Sequence, residues 1–463
     1  MGERLPSGAG TKAHAAGAAR ETPLIPRTDG ERARTVVETF VLHLRPVRVP
    51  EGAIRWTHTF GLGGMSLVLL ILLAATGSLL MLAYRPLPGE AYESIVLIQE
   101  SVLFGAFVRA VHHWSANALV VVSVLHLLRV FLTGGHREGR ELNWLVGLAL
   151  LALVAGSCFT GYLLPWDQLA YWAVTIVTGM AGYVPLAGAR LALLLRGGPE
   201  IGPGTLVSFY ALHTQWFPAA IFFLAGFHFW RVRKAGGVVL PPDAPREESG
   251  APRRVLFLPN LLTREAAVAL SLVAAVTLFA ALVRAPLGEA ANPGMSPNPA
   301  KAPWYFLGFQ ELLVHLHPVF AVVVFPLAGA LALAALPYLP AEDGPRGAWF
   351  LSGTGRRAAR VAALVAVVAV PLFVLADEAL LVRSGGSAAS GGAPGLLLRG
   401  LLPALAVGGG AAGLFVLARR RLGASRLEAT QAVFVLLATG FALLTVTGTF
   451  FRGPGMRLAW PWG

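Results

Sequence analysis

Apolar residues run through this chain in long blocks separated by short polar stretches, and the blocks predict its architecture. Nine of them lie roughly at 58–83, 108–129, 142–165, 205–230, 265–284, 313–338, 361–382, 400–418 and 429–450. Each is long enough to cross a ~30 Å hydrocarbon core as a helix. The pattern predicts an all-α polytopic membrane protein: a four-helix transmembrane bundle followed by further C-terminal helices, about nine in total.

The stretches between blocks divide the chain. Residues 1–30, rich in Gly, Ala, Arg and Thr without an apolar period, read as a disordered tail. No cleavable signal is expected, because the first apolar block begins late and is too long. Residues 31–45 read as an amphipathic surface helix. The polar, Pro-rich stretch 236–264 is the clearest linker, between an N-terminal domain at 31–235 and a C-terminal one at 265–463. Two loops are unusually long: 166–204, with an amphipathic piece LAYWAVTIVTGM, and 285–312, with NPGMSPNPAKAPWYF. Long ordered loops tend to carry binding chemistry.

Composition agrees with a membrane protein: 56% hydrophobic, 13% charged, mean hydropathy +0.65. The net charge of +13 is a topology signal, not a nucleic-acid footprint. With the N-terminus placed in the cytoplasm, 27 of the 37 Lys and Arg fall on inside segments and 10 on outside ones, as the positive-inside rule requires. The single cysteine, Cys158, excludes an intrachain disulfide and a Cys-rich metal site held by this chain alone; it reads as a small packing residue.

Four histidines carry the candidate chemistry. His112 and His126 lie 14 residues apart in the second block, His213 and His228 15 apart in the fourth. At 100° per residue each pair shares a helix face within ~40–60°, about 21–22 Å apart along the axis. The two blocks run in the same direction, so His112 is level with His213 near the outside, and His126 with His228 near the cytoplasm. Neutral imidazole is an axial heme ligand, and such helices would clamp two stacked hemes. His113 is excluded by geometry, since thirteen steps to His126 turn it nearly to the opposite face. Glycines support the reading: Gly63 and Gly77, and Gly147 and Gly161, repeat the 14-residue interval on the first and third blocks. A porphyrin between helices needs a missing side chain at each level. Arg109 and Arg129, one turn from His112 and His126, are placed either to meet heme propionates or to snorkel to the interface as ordinary flanking arginines.

These residues resemble a known family. VRAVHHWSANALVVVSVLHLLRV and FYALHTQWFPAAIFFLAGFHF are similar to the heme-binding helices of cytochrome b from bc-type and b–f-type quinol-oxidising complexes. GYLLPWDQLAYWAV resembles the segment after that family's third helix. The similarity runs from about 40 to 340 and is closer to the b–f type in its N-terminal half, although both halves are fused here, as in bc-type proteins. The resemblance implies a Q-cycle subunit of a translocating quinol–cytochrome c oxidoreductase. Quinol is oxidised near the outer heme; one electron goes to a Rieske iron–sulfur protein and onward to a c-type cytochrome, the other through the two b hemes to a second quinone. It also implies a homodimeric complex in the cell membrane. The outer quinol site would be built from the two long loops, with Trp304 and Tyr305 in it.

Three departures stand out. The family's Pro-Glu-Trp-Tyr motif is Ala302-Pro303-Trp304-Tyr305, so the proton-accepting glutamate is missing; Glu311 is the candidate to replace it. Gly61 stands where b–f proteins carry a heme-attaching cysteine, so no covalent heme is expected there. The chain ends in FFRGPGMRLAWPWG, a segment without an assigned chemical role beyond docking a partner. On the cytoplasmic side LPNLLTREA matches the family's stretch before the fifth helix, where Glu265 would help protonate the inner quinone beside Arg264 and Arg233. His315 and His317, in HLHP, are candidates for proton release or ligation but, without a partner set, read as ordinary histidines. The alternative to a bc-type subunit is a diheme membrane anchor of another quinone-linked dehydrogenase or reductase. A transporter would leave the glycine register unexplained.

Overall fold

The computed structural model describes residues 26–38, 47–340, 346–383 and 392–460. Most of the expected tail at 1–30, and 39–45 of the expected surface helix, lie outside these residues. In chain order the main helices are α1 (Asp29–Glu38), α2 (Leu62–Met81), α3 (Gly105–Leu132), α4 (Glu141–Leu163) and α5 (Gln168–Met180). Next come α6 (203–234), α7 (Phe257–Leu282), α8 (Leu307–His315), α9 (Phe320–Tyr338), α10 (Gly353–Arg383), α11 (Pro394–Arg420) and α12 (Arg426–Phe450). Among the described residues, eight of these helices are long and apolar enough to cross a membrane: α2, α3, α4, α7, α9, α10, α11 and α12.

The remaining expected crossing, 205–230, is α6, which is helical but not of one type. An α-helix over Pro203–Ala211 widens into a π turn at Leu212–Trp216 and returns to α at Phe217–Lys234. The cause is Pro218. Its ring has no N–H and collides with the carbonyl four residues back, so the helix ahead of it widens to find other donors. The same device recurs in the π turns Phe320–Val324 before Pro326 and Leu397–Leu401 before Pro403. His213 sits within the first of these turns.

In the first bundle α2 lies along α3, and α4 along α6. Leu69, Val111, Leu119, Val122, Val154 and Ile221 fill its centre, and Val276 and Ala280 of α7 close one side. α10, α11 and α12 pack as a second group through Ala358, Ala362, Ala418, Ala429 and Ala432, small residues that let helices approach closely. Large apolar side chains such as Ile71, Leu270, Leu364 and Leu405 point outward, the surface a helix offers to lipid. α12 begins with a capping box: Ser425 Oγ accepts from Glu428 N–H at 3.2 Å, and Ser425 N–H donates to Glu428 Oε2 at 2.7 Å. A short antiparallel pair, β1 (Arg48–Pro50) with β2 (Arg254–Leu256), sets Val49 opposite Val255. It joins the stretch before α2 to the end of the 236–264 linker.

Candidate functional site

The bundle brings the four histidines into two facing pairs. The rings of His112 and His213 are 6.1 Å apart between centroids, with planes at 75°. Those of His126 and His228 are 6.3 Å apart at 74°. A metal held between two imidazoles lies ~2.0 Å from each nitrogen, as at zinc sites, and each nitrogen about 1.1 Å from its ring centre, so facing rings stand roughly 6 Å apart. Both separations fit that arrangement.

Each histidine faces one glycine on the neighbouring helix. A Cβ added to Gly77 would lie 3.2 Å from His112 Cε1, and one added to Gly63 3.5 Å from His126 Cε1. On the other helix pair, Gly161 would meet His213 Cε1 at 2.5 Å and Gly147 would meet His228 Cε1 at 3.6 Å. The glycines of α2 therefore make room for the rings of α3, and those of α4 for the rings of α6. A side chain at Gly161 would press its ring out of line and one at Gly77 would crowd it, whereas a Cβ at Gly63 or Gly147 would only touch its ring.

Second partners orient the rings. Thr76 Oγ donates to Leu72 O at 2.7 Å and lies 3.0 Å from His112 Nδ1, so it accepts the Nδ1 proton. Ser157 O accepts from His213 Nδ1 at 2.9 Å. With Nδ1 donating, each ring keeps the lone pair on Nε2, the tautomer a metal requires. The sequence reading missed Thr76, Thr160 and Ser157. A signal was present: a threonine directly precedes Gly77 and Gly161, the two glycines at the His112 level. His113 instead sets its ring edge-on against Trp114 at 4.7 Å.

The two arginines are tied to flanking backbone. Arg109 is buried and donates to Gln99, to Ala285 O at 2.9 Å and to Pro286 O at 2.6 Å. Arg129, also buried, donates through Nε to His58 O at 3.1 Å and meets His58 Nε2 at 3.0 Å. His58, not singled out in the sequence, thereby fixes the other end of the bundle. Burial and the neighbouring Arg129 charge hold its pKa below the ordinary histidine value. Gly61 occupies the left-handed region at φ 65°, which by itself favours glycine at that position.

The two long loops meet. Asp167 caps α5 by accepting from Ala170 N–H at 2.9 Å, and its other oxygen accepts from Gly288 N–H at 2.9 Å. Gln168 N–H donates to Glu289 O at 2.8 Å. The Pro-Trp-Asp element thus carries the second loop. That loop delivers Trp304 and Tyr305 to the bundle: Trp304 Nε1 donates to Asn117 Oδ1 at 2.6 Å, and the Tyr305 hydroxyl reaches Cys158 O at 3.5 Å. Beside Trp304, Trp114, Asn117, Ala118, Val121, Val276 and Phe279 line an apolar groove of about 290 Å³.

Glu311 is elsewhere. It is fully buried against α12, with both oxygens held by Arg452 at 2.8 to 3.1 Å. Burial pushes its carboxyl up, but His315 and Arg452 outweigh this and hold its pKa below the usual range. At the opposite end of the bundle Arg264 donates to Ile54 O at 2.6 Å, Glu265 is half-buried, and Arg233 is exposed at the end of α6.

Residues 51–236 match the family model for cytochrome b/b6/petB. Cytochrome b6 of Crocosphaera subtropica is 44% identical over 177 residues, covering 38% of this chain and 79% of that protein. Cytochrome b6 of Pyropia yezoensis is 45% identical over 177 residues, covering 38% and 81%. In fold, a chain of a hyperthermophilic respiratory Complex III superposes with a TM-score of 0.63 at 21% identity, over 89% of this chain and 94% of that one. The family model falls on the helices that hold the two histidine pairs, and identity of this order across most of the relatives' length means that the chain belongs to the cytochrome b/b6 family, a membership that implies b-type heme.

Proposed function

We propose that this chain is the diheme cytochrome b subunit of a quinol-oxidising, proton-translocating complex of the bc type. The observation that carries the reading is the matched geometry of two imidazole pairs at two levels, each ring faced by its own glycine. His112 with His213 would hold one b-type heme and His126 with His228 the other. The hemes, when bound, supply two one-electron carriers stacked across the bilayer.

The chain's own residues set the rest. Thr76 and Ser157 O keep the His112 and His213 rings in the ligating tautomer. The asymmetry of Lys and Arg supports an N-terminus in the cytoplasm and a His112 end outside, in a cell membrane. Quinol would lie in the apolar groove beside Trp304 and Tyr305, whose α3 lining from Trp114 to Val121 lies between the two histidine levels. Its electron acceptors would be a Rieske protein, followed by a c-type cytochrome, and the His112 level of this chain, within a homodimeric complex. Glu265, Arg264 and Arg233 mark the site of a second quinone near the cytoplasm. The division into domains at 31–235 and 265–463 follows the same reading.

Expression of the full chain followed by a reduced-minus-oxidised spectrum tests the heme count. Two b-type components are expected, with one lost in His112→Ala and the other in His126→Ala. A single component in the unmodified chain would refute the diheme reading. Copurification of a Rieske protein, with quinol-driven reduction blocked by an outer-site inhibitor, tests the complex. Reduction that is indifferent to the inhibitor would favour a dehydrogenase anchor instead.

A further inference from the structure

The segment after α12 folds back on itself and is tied to the loop that carries Trp304 and Tyr305. Gly453 N–H donates to Arg457 O at 3.0 Å, closing the fold. Gly455 N–H donates to Asn298 Oδ1 at 2.5 Å, and Lys301 Nζ to Thr449 O at 3.2 Å. Leu458 N–H donates to Glu378 Oε1 on α10 at 3.2 Å. The segment therefore straps the loop from behind.

Arg452 is its centre. The side chain is fully buried, and all three guanidinium nitrogens have partners. Nε and one terminal nitrogen grip both oxygens of Glu311. That same terminal nitrogen also reaches His315 Nε2 at 2.9 Å. The other donates to Glu378 Oε2 at 3.1 Å and Met456 O at 2.9 Å. A buried ion pair is weak support for stability, because desolvation offsets the attraction; what a bidentate pair supplies is fixed geometry. Here the geometry fixed is that of α8 on α12. Glycines allow the contact: a Cβ at Gly308 would meet Phe441 and Thr445 at 2.7 Å, and one at Gly448 would meet Leu307 Cβ at 3.1 Å. Next to Glu311, Gln310 turns the seat of α8 into the position of the loop. Its Oε1 accepts from Ala302 N–H at 2.7 Å and its Nε2 donates to Ala300 O at 2.7 Å. Ala302 is two residues from Trp304.

Resting on the quinol-oxidising reading, we propose that Arg452 is a positioning residue for that reaction. By gripping Glu311 it sets α8, and through Gln310 it sets the register of Ala302–Tyr305 against Asn117 and Cys158. The C-terminal segment is then an internal strap of the quinol site.

The test uses the whole complex in membranes, assayed with soluble ubiquinol and menaquinol analogues. The double variant Arg452→Met with Glu311→Gln removes both members of the fully buried pair together, while Glu378, partly exposed, keeps its bond from Leu458 N–H. It is expected to keep both heme bands and its inhibitor-blocked reduction through the inner site, while the quinol KM rises about five- to tenfold with a smaller change in kcat. Arg452→Lys, which keeps charge but not the fork, should fall between. If the double variant loses its heme bands, Gln310→Leu cuts the tether to Ala302 and leaves the ion network whole; the same KM rise is expected. Intact heme bands with an unchanged quinol KM, in either variant, overturn the proposal. An unmodified complex that oxidises neither quinol would refute the underlying reading instead.

Discussion

Gly161 lies so close to His213 that a methyl group on its α-carbon would stand 2.5 Å from the ring Cε1 and 2.9 Å from Nδ1. At the other level Gly147 leaves its His228 Cε1 at 3.6 Å, an ordinary van der Waals distance. The glycine register is thus tight at the His112 level and looser at the His126 level. Gly161→Ala must displace a ring, and overpacking of this kind costs ~1–3 kcal/mol. On the proposed diheme reading, the expected outcome is selective loss or distortion of the heme that His112 and His213 would hold, whereas Gly147→Ala keeps both. Difference spectra and heme-to-protein ratios of the two variants check this. Equal heme retention in both would sink the ranking.

Thr76 supplies a prediction about potential rather than occupancy. Its hydroxyl is the acceptor for His112 Nδ1, and an acceptor there makes the imidazole a stronger donor to a metal. Thr76→Val keeps the shape and removes the acceptor. If this level holds a heme as proposed, that heme should remain but become easier to reduce, by a rise on the order of tens of millivolts, the scale of one lost hydrogen bond. Redox titration followed at the b-heme bands measures it. A fall in potential, or a shift confined to the other heme, would contradict the assignment.

How far the site was legible depended on how local each signal was. The spacing of His112 and His126, and of Gly63 and Gly77, sits inside single helices, so helical periodicity alone places those residues on shared faces. The pairing across helices followed from counting crossings. The π turn at His213 was written only as Pro218, one proline among many, and its effect on helix type appears only in the folded backbone. Arg452 and Glu311 are far apart in sequence and belong to different helix ends, so no pattern in either segment announced their pairing. Arg109 shows the reverse case: one turn from His112 it suggested a propionate partner, yet its donors reach loop carbonyls. Sequence spacing says where a long side chain starts, not where its end goes.

Asn117 and Trp304 give a test of the groove. Their 2.6 Å hydrogen bond is the polar link that seats the indole beside α3. Asn117→Leu removes the acceptor and frees the indole from this seat. With quinol bound in this groove, the variant should raise the quinol KM and weaken outer-site inhibitors, while both heme bands persist. Steady-state kinetics with an inhibitor titration decide the matter; unchanged values for both place the quinol elsewhere.

His315 ties stability to pH. Its Nδ1 lies 2.7 Å from Asp377 Oδ2, and its Nε2 faces Glu311 Oε2 at 3.4 Å as well as Arg452. Arg399 backs Asp377, and Glu378 backs Arg452. Burial pushes the imidazole pKa down, but the two carboxylates outweigh it and hold the pKa above the ordinary 6.5. A raised folded pKa means that the charged ring contributes stability fully below 6.5 and loses that contribution as pH climbs through the folded value. Glu311 is shifted the other way, so it stays ionised across this window and does not mask the effect. Thermal melting of the solubilised protein, followed at the heme bands, should therefore show the unmodified chain well above His315→Gln at pH 6, with the gap closing as pH climbs through the raised folded pKa. A gap that widens as pH rises would mean that the ring is held neutral, with Arg452 donating to Nε2 throughout.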